Sequence, residues 1–298
     1  MKIDIADDFD LWKIANCGQA FRVRQFEDGS YRFVTGEHVL YITHKGLSDE
    51  ECDTEGYDIE GYDIEGYDFS LKQSMLTDKE LEKEWAMVWK PYFDLDRNYS
   101  SIRSGVNKSD KFLSNACECG KGLRILRQDP WEMLLTFITS QRKSIPAIKS
   151  SIEKVCEKYG KKVTTKYETF YLFPTAFDMR EASADELKNC GLGYRVDYYF
   201  DAIQRVIEKS LDLEILRELD YESLFNGLKI VKGVGDKVSN CICLFAYAKT
   251  EAAPVDTWIA KVIDRHYSGI NPFPSYGEVA GIMQQYIFYY AQMHKEEF

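Results

Sequence analysis

The chain has 298 residues, enough for two or three compact units, and its 45% hydrophobic and 14% aromatic content is that of a folded globular protein. The net charge of −11 argues, taken alone, against a phosphate-rich partner. The first residues are acidic and mixed rather than a secretory leader, and no apolar run reaches the roughly 18 residues of a membrane span, so a soluble intracellular protein is expected.

In chain order, residues 1–45 alternate as strands do, most clearly at Tyr31–Val34 and His38–Thr43, with a hairpin turn at Glu27-Asp28-Gly29-Ser30. The segment Gly18-Gln19-Ala20-Phe21-Arg22 precedes them; read alone, Gly18 serves a turn. Residues 53–69 repeat Glu-Gly-Tyr-Asp-Ile with a period of five, which fits neither a helix nor a strand and reads as an expanded surface loop between strands, lying away from any DNA-binding face. Residues 45–98 hold 16 acidic and 6 basic residues, leaving 33 and 32 for the rest, so one region carries nearly all the excess charge. Contact with phosphate would then come from local Lys and Arg and from backbone amides, with modest non-specific affinity.

From Asp78 the pattern is helical: Asp78–Trp85, then Pro130–Ser140 behind Asp129, then an amphipathic stretch over 147–163, then a start at Ser183. Near the C-terminus, helices are expected over Thr257–His266 and from about Tyr276. Between them Val231-Lys232-Gly233-Val234-Gly235-Asp236-Lys237 separates two apolar runs, one ending Leu224, Leu228, Ile230 and the other continuing Val238, Ile242, Phe245. This reads as helix, tight hairpin, helix, with two glycines allowing positive φ and bare amides at the second helix start, where an anion such as a DNA phosphate binds. Lys237 and Cys241 share a helix face, and Asp256 follows Lys237 by nineteen residues. The plain readings are a solvated lysine, a buried thiol and a helix N-cap.

The combination LKIVKGVGDKVSNCICLFA with Ala253-Pro254-Val255-Asp256 resembles the helix-hairpin-helix DNA glycosylases, and among them the 8-oxoguanine DNA glycosylase/AP lyase branch. The Gly18 segment, LRQDPWEMLLTFITSQ, Gly191-Leu192-Gly193-Tyr194-Arg195 and the helix containing Gln284 and Phe288 resemble the same family, over nearly the whole chain except residues 47–76. The resemblance implies an α+β fold: an N-terminal antiparallel β-sheet domain over 1–98 with the acidic insert, then two α-helical subdomains over 99–298 containing the helix-hairpin-helix at about 221–249. It implies Lys237 as nucleophile and Asp256 as its carboxylate. Gly18, Cys241, Gln284 and Phe288 would form the base pocket. Gly233, Val234, Gly235, Arg142, Tyr194, Arg195 and Trp258 would contact DNA, Tyr194 as a wedge. Two positions depart from the family: Arg142 stands where mammalian-type members carry an asparagine run that reads the orphan cytosine, and Ala147 replaces a downstream arginine. Trp258 stands where relatives often have histidine.

The residue types suit the chemistry. A desolvated amine is a usable nucleophile toward the sugar C1′, forming a Schiff base, and a carboxylate stabilises the positive charge that develops on the sugar. The Gly18 carbonyl would accept the N7–H that oxidation adds to guanine and repel the bare N7 of undamaged guanine. Eight cysteines without a Cys-x-x-Cys pair are expected to be free thiols, and none follows Cys243 to build the iron–sulfur cluster of other superfamily branches. No metal or cofactor is expected; the expected partner is double-stranded DNA containing an oxidised purine, bound by a monomer. Two competing readings are a glycosylase for another damaged purine, motivated by Arg142 and Ala147, and a non-catalytic DNA-structure binder that kept only the hairpin.

Overall fold

The computed structural model describes residues 1–44, 60–70 and 75–297. A five-stranded antiparallel sheet lies at the N-terminal end, in the order β1 (Lys2–Ile5), β5 (Glu60–Asp68), β4 (His38–His44), β3 (Tyr31–Thr35), β2 (Arg24–Gln25). Strands β3 and β4 turn at Gly36-Glu37, Gly36 taking the positive φ (+55°) that a tight hairpin favours.

The acidic repeat corrects an expectation. Residues 60–68 are a central strand, pairing with β1 on one side (Lys2 opposite Asp63) and β4 on the other (His38 opposite Asp68). The sheet is buried on both faces, and an odd period is what such a strand uses. Side chains five apart in a strand point to opposite faces. Tyr62 and Ile64 therefore pack with Ile5, Phe9, Leu40 and Ile42, whereas Tyr67 and Phe69 pack with Val39, Tyr41 and Phe170. Residues 53–59 lie outside the described residues.

The third-copy residue Asp68 also lies in a small polar group with His38 and Glu84, where His38 Nδ1 is 3.1 Å from Glu84 Oε2. The hydrogen bond to Glu84 raises the His38 pKa above its ordinary value. A raised pKa means that this contribution to stability is complete below about pH 6.5 and is lost as pH rises through the folded-state value. Thermal midpoints measured from pH 6 to 8 are expected to fall, and His38→Gln should flatten that part of the profile. An unchanged slope in the variant would remove His38 as its source.

The helices Leu11–Asn16 and Asp78–Glu84 pack on the sheet through Ile14 and Leu81, whereas most helices from Tyr99 onward pack around one large core that includes Leu134, Phe137, Tyr199, Ile242, Phe245 and Ile287, and also takes in Cys17 and Phe21 from the N-terminal segment. The helix expected over 147–163 runs Ile145–Tyr159 and stops at Gly160, where a Cβ would stand 2.0 Å from the Leu172 carbonyl oxygen. A two-stranded hairpin unforeseen in the sequence follows, β6 (Lys162–Thr164) with β7 (Thr169–Tyr171). The last long helix begins at Ala280, after a turn interrupted by Gly277 (φ +57°). Among the described residues no helix is long and apolar enough to cross a membrane. The seven described cysteines are free, and Cys52 lies outside the described residues.

Candidate active site

The hairpin runs between the helices Tyr221–Leu228 and Asp236–Tyr247. Val231, not the exposed Ile230, closes the first apolar run. Gly233 has φ +86°, and a Cβ there would come within 2.3 Å of the Tyr198 ring, so glycine is required twice over. Gly235 corrects an expectation: its φ is −97°, in extended backbone, where it stands as an N-cap without a side chain. The second helix therefore begins with amides that no capping side chain covers, as an anion site needs. Val234 is buried and offers only its backbone. The hairpin is held from outside: Lys232 donates its backbone N–H to Asp201 (2.8 Å), and Gln141 donates its side-chain amide to the Gly233 carbonyl (3.0 Å).

Lys237, in the first turn of that helix, donates to Ser140 Oγ (3.3 Å) and sits 5.2 Å above the Phe137 ring. Asp256 caps the helix Thr257–His266 through one oxygen, Oδ1, which accepts from the N–H groups of Trp258 (3.0 Å) and Ile259 (2.9 Å). The capping role foreseen for it is real, and among the described residues its second oxygen accepts no hydrogen bond. A cavity of about 50 Å³ is lined by Lys237, Asp256, Gly18, Cys241, Gln284 and Phe288, together with Phe137 and Gln285. Every candidate for the catalytic pair and the base pocket meets there. Cys241 is buried, and burial raises its pKa, so the thiol is neutral. Gln284 is 3% exposed and its Oε1 has no hydrogen-bond partner among the described residues, an arrangement core packing does not favour. A Cβ on Gly18 would stand 2.9 Å from the Phe288 ring, and its φ is +80°. Among the described residues the Gly18 carbonyl accepts no hydrogen bond.

A larger cleft of about 780 Å³ opens beside this cavity and shares Gly18, Lys237, Asp256 and Phe288 with it. Its charged lining is Arg142, Lys143, Lys237 and Lys295 against Asp256 alone, so the cleft is locally basic in an acidic chain. Trp258 lines it too, with the Lys261 amine 4.9 Å from its ring. Arg142 stands exposed at the tip of the turn after the helix Pro130–Ser140, in left-handed backbone (φ +52°) that costs a non-glycine residue on the order of 1 kcal/mol. Its neighbour Lys143 pins the turn, donating to Ser151 Oγ (2.5 Å) and to the Gly191 carbonyl (2.6 Å). Tyr194 is 52% exposed, so its ring does not belong to the core. Arg195 corrects another expectation. It is 5% exposed, donates to the carbonyls of Leu192 and Gln141, and lies 4.4 Å from the Tyr194 ring. It straps the Tyr194 segment to the Arg142 turn and in this structure is not open to a phosphate. Sequence reasoning missed Gln141, Lys143, Ser140 and Gln285, each of which has a partner in a distant segment.

A family model described as HhH-GPD superfamily base excision DNA repair protein matches residues 135–287, and one described as 8-oxoguanine DNA glycosylase, N-terminal domain, matches residues 2–134. The 8-oxoguanine glycosylase/lyase of Clostridium acetobutylicum, solved with double-stranded DNA containing cytosine opposite 8-oxoguanine, is 32% identical, with 99% of this chain and 98% of that one covered at a TM-score of 0.82. The chain belongs to the 8-oxoguanine DNA glycosylase/AP lyase family. Another member-like relative, the probable N-glycosylase/DNA lyase of Methanothermobacter thermautotrophicus, is 29% identical over 243 residues, 72% of this chain and 76% of its own length. A 3-methyladenine DNA glycosylase from Archaeoglobus fulgidus covers 98% of both chains at a TM-score of 0.72, but at 18% identity it shares the fold alone. The glycosylase fold thus spans residues well beyond the hairpin, and the non-catalytic reading loses its motive.

Proposed function

We propose that this glycosylase flips 8-oxoguanine out of duplex DNA, excises it through Lys237 and then cuts the strand. The observation that carries the reading is the single cavity in which an amine, a carboxylate, a free glycine carbonyl, an unpartnered glutamine oxygen and an aromatic ring meet. Lys237 Nζ attacks C1′; the bond to the base breaks, its electron pair leaves with the base, and a proton lost from the attacking nitrogen passes to the departing base. The Asp256 carboxylate faces the positive charge that builds on the sugar. Opening of the sugar ring, O4′ leaving C1′ and taking up a proton, gives the Schiff base, which acidifies the C2′ proton; a base removes that proton, its electron pair forms the C2′–C3′ double bond, and the 3′ phosphate oxygen leaves, which breaks the strand.

Base recognition follows the same cavity. Gly18 accepts N7–H, Gln284 pairs with the Watson–Crick edge, and Phe288 stacks on the base opposite Cys241. At about 50 Å³ the cavity is far below the roughly 300 Å³ at which ligand pockets begin, so part of its lining must move to admit a base. Tyr194 opens the stack, at a cost of a few kcal/mol that DNA contacts offset. The hairpin amides and Trp258 take phosphates. We place the domain division near residue 98, and the enzyme acts as a monomer inside the cell, with the DNA.

The test is borohydride trapping on a panel of lesion duplexes. A covalent complex with 8-oxoguanine opposite cytosine is expected; preference for an alkylated purine would decide for the other reading. Arg142 has its own test. As a reader of the opposing base it makes Arg142→Ala lose about 1–3 kcal/mol of discrimination between opposing bases, with no change in thermal midpoint because the residue is exposed. Equal loss opposite all four bases would make Arg142 a phosphate contact instead.

A further inference from the structure

We infer that Gln285 is a positioning residue that presents the Gly18 carbonyl to the base. The inference rests on the reading of Gly18 as the group that distinguishes 8-oxoguanine from guanine. Gly18 sits in a segment with no regular secondary structure, and a glycine can turn its carbonyl more freely than any other residue. A carbonyl that must stay in one place on a glycine therefore needs both flanking peptide units held.

Both are held here, and from different parts of the chain. On the C-terminal side Gln19 is fully buried; its amide donates to the Arg124 carbonyl (2.7 Å), its Oε1 accepts from Leu126 N–H (2.8 Å), and its own carbonyl accepts from Gln128 (3.0 Å). On the N-terminal side the only side chain donating to the Cys17 carbonyl, among the described residues, is Gln285, at 2.6 Å and 268 residues away. Gln285 is 2% exposed and is the immediate neighbour of Gln284 on the helix Ala280–Met293. Consecutive helix residues point about 100° apart, so one turn of helix serves the pocket twice. Gln284 meets the base itself, and Gln285 reaches past it to fix the backbone beside Gly18. Replacing Gln285 by an apolar group leaves the Cys17 carbonyl buried without its donor and frees Gly18 to turn.

The predicted signature is selective. An abasic site has no base to read, so its cleavage depends on Lys237 but not on where the Gly18 carbonyl points. Gln285→Met, which keeps volume, should slow excision of 8-oxoguanine opposite cytosine by about five- to ten-fold, the size of one buried hydrogen bond, while cleavage of a preformed abasic site opposite cytosine is retained. Gln285→Glu should show the same loss at pH 8 and recover toward the parent ratio as pH is lowered, because the protonated carboxyl again donates to the Cys17 carbonyl. Parallel loss on both substrates, or a ratio of the two rates that neither variant moves, overturns the inference. Gly18→Ala, assayed alongside, separates the two levels. If it moves the ratio and the Gln285 variants do not, the clamp alone fails; if it leaves the ratio unmoved, the reading of Gly18 fails with it.

Discussion

Lys237→Gln is expected to abolish the borohydride-trapped complex and to lower strand cleavage of an 8-oxoguanine duplex by roughly 10³-fold or more, as removal of a covalent nucleophile does. Glutamine keeps most of the side-chain length and a donor for Ser140 Oγ, so the local contacts survive. Lys237 is only partly buried, and the thermal midpoint should hardly move. Affinity for lesion DNA should also persist, because the hairpin amides, Arg142 and Tyr194 are untouched. Binding without cutting is therefore the expected phenotype. Cleavage of the lesion duplex at the parent rate would sink the assignment of Lys237 and, with it, the Schiff-base route.

Asp256→Asn carries the second large effect, and it separates two roles that one side chain combines. The structure shows Asp256 as an N-cap, its Oδ1 accepting two backbone N–H groups. Asparagine caps a helix about as well as aspartate and retains that oxygen. The variant should fold with an unchanged midpoint while losing the negative charge beside the sugar. A drop in base excision of about 10²–10³-fold is expected, the usual cost of removing one preorganised electrostatic group. Asp256→Ala is the companion: it should lose the same rate and, in addition, about 1 kcal/mol of stability with the cap. If Asp256→Asn cuts at the parent rate while only Asp256→Ala loses stability, Asp256 is a cap and nothing more.

The parts of this site legible in the sequence are those held by short-range geometry. Helix periodicity puts Cys241 on the face of Lys237, and a few residues between two apolar runs leave room only for a tight hairpin. Asp256 before Thr-Trp-Ile announces a helix start whatever surrounds it. Even at this range a residue type states what is allowed rather than what is used: of the two hairpin glycines, only Gly233 takes positive φ, and only there does a neighbour, Tyr198, leave no room for a Cβ.

What required the tertiary structure is whatever depends on which surfaces meet. The five-residue repeat resembles a loop until the sheet is seen to be covered on both faces, whereupon an odd period becomes the way to bury Tyr62 on one side and Tyr67 on the other. Arg195 reads as a DNA contact by its place beside Tyr194, yet it is buried against the carbonyls of Leu192 and Gln141. The Gln285 bond to Cys17 spans 268 residues, a pairing no local pattern encodes. The sequence by itself determined where Lys237 and Asp256 stand, one in the first turn of a helix and the other at the N-cap of the next, because periodicity and capping are short-range signals; their pairing as catalytic groups is what the family resemblance implies. Only the folded chain decided which polar groups stand exposed beside the cleft and which are buried as braces, because burial and long-range hydrogen bonds are properties of surfaces brought together.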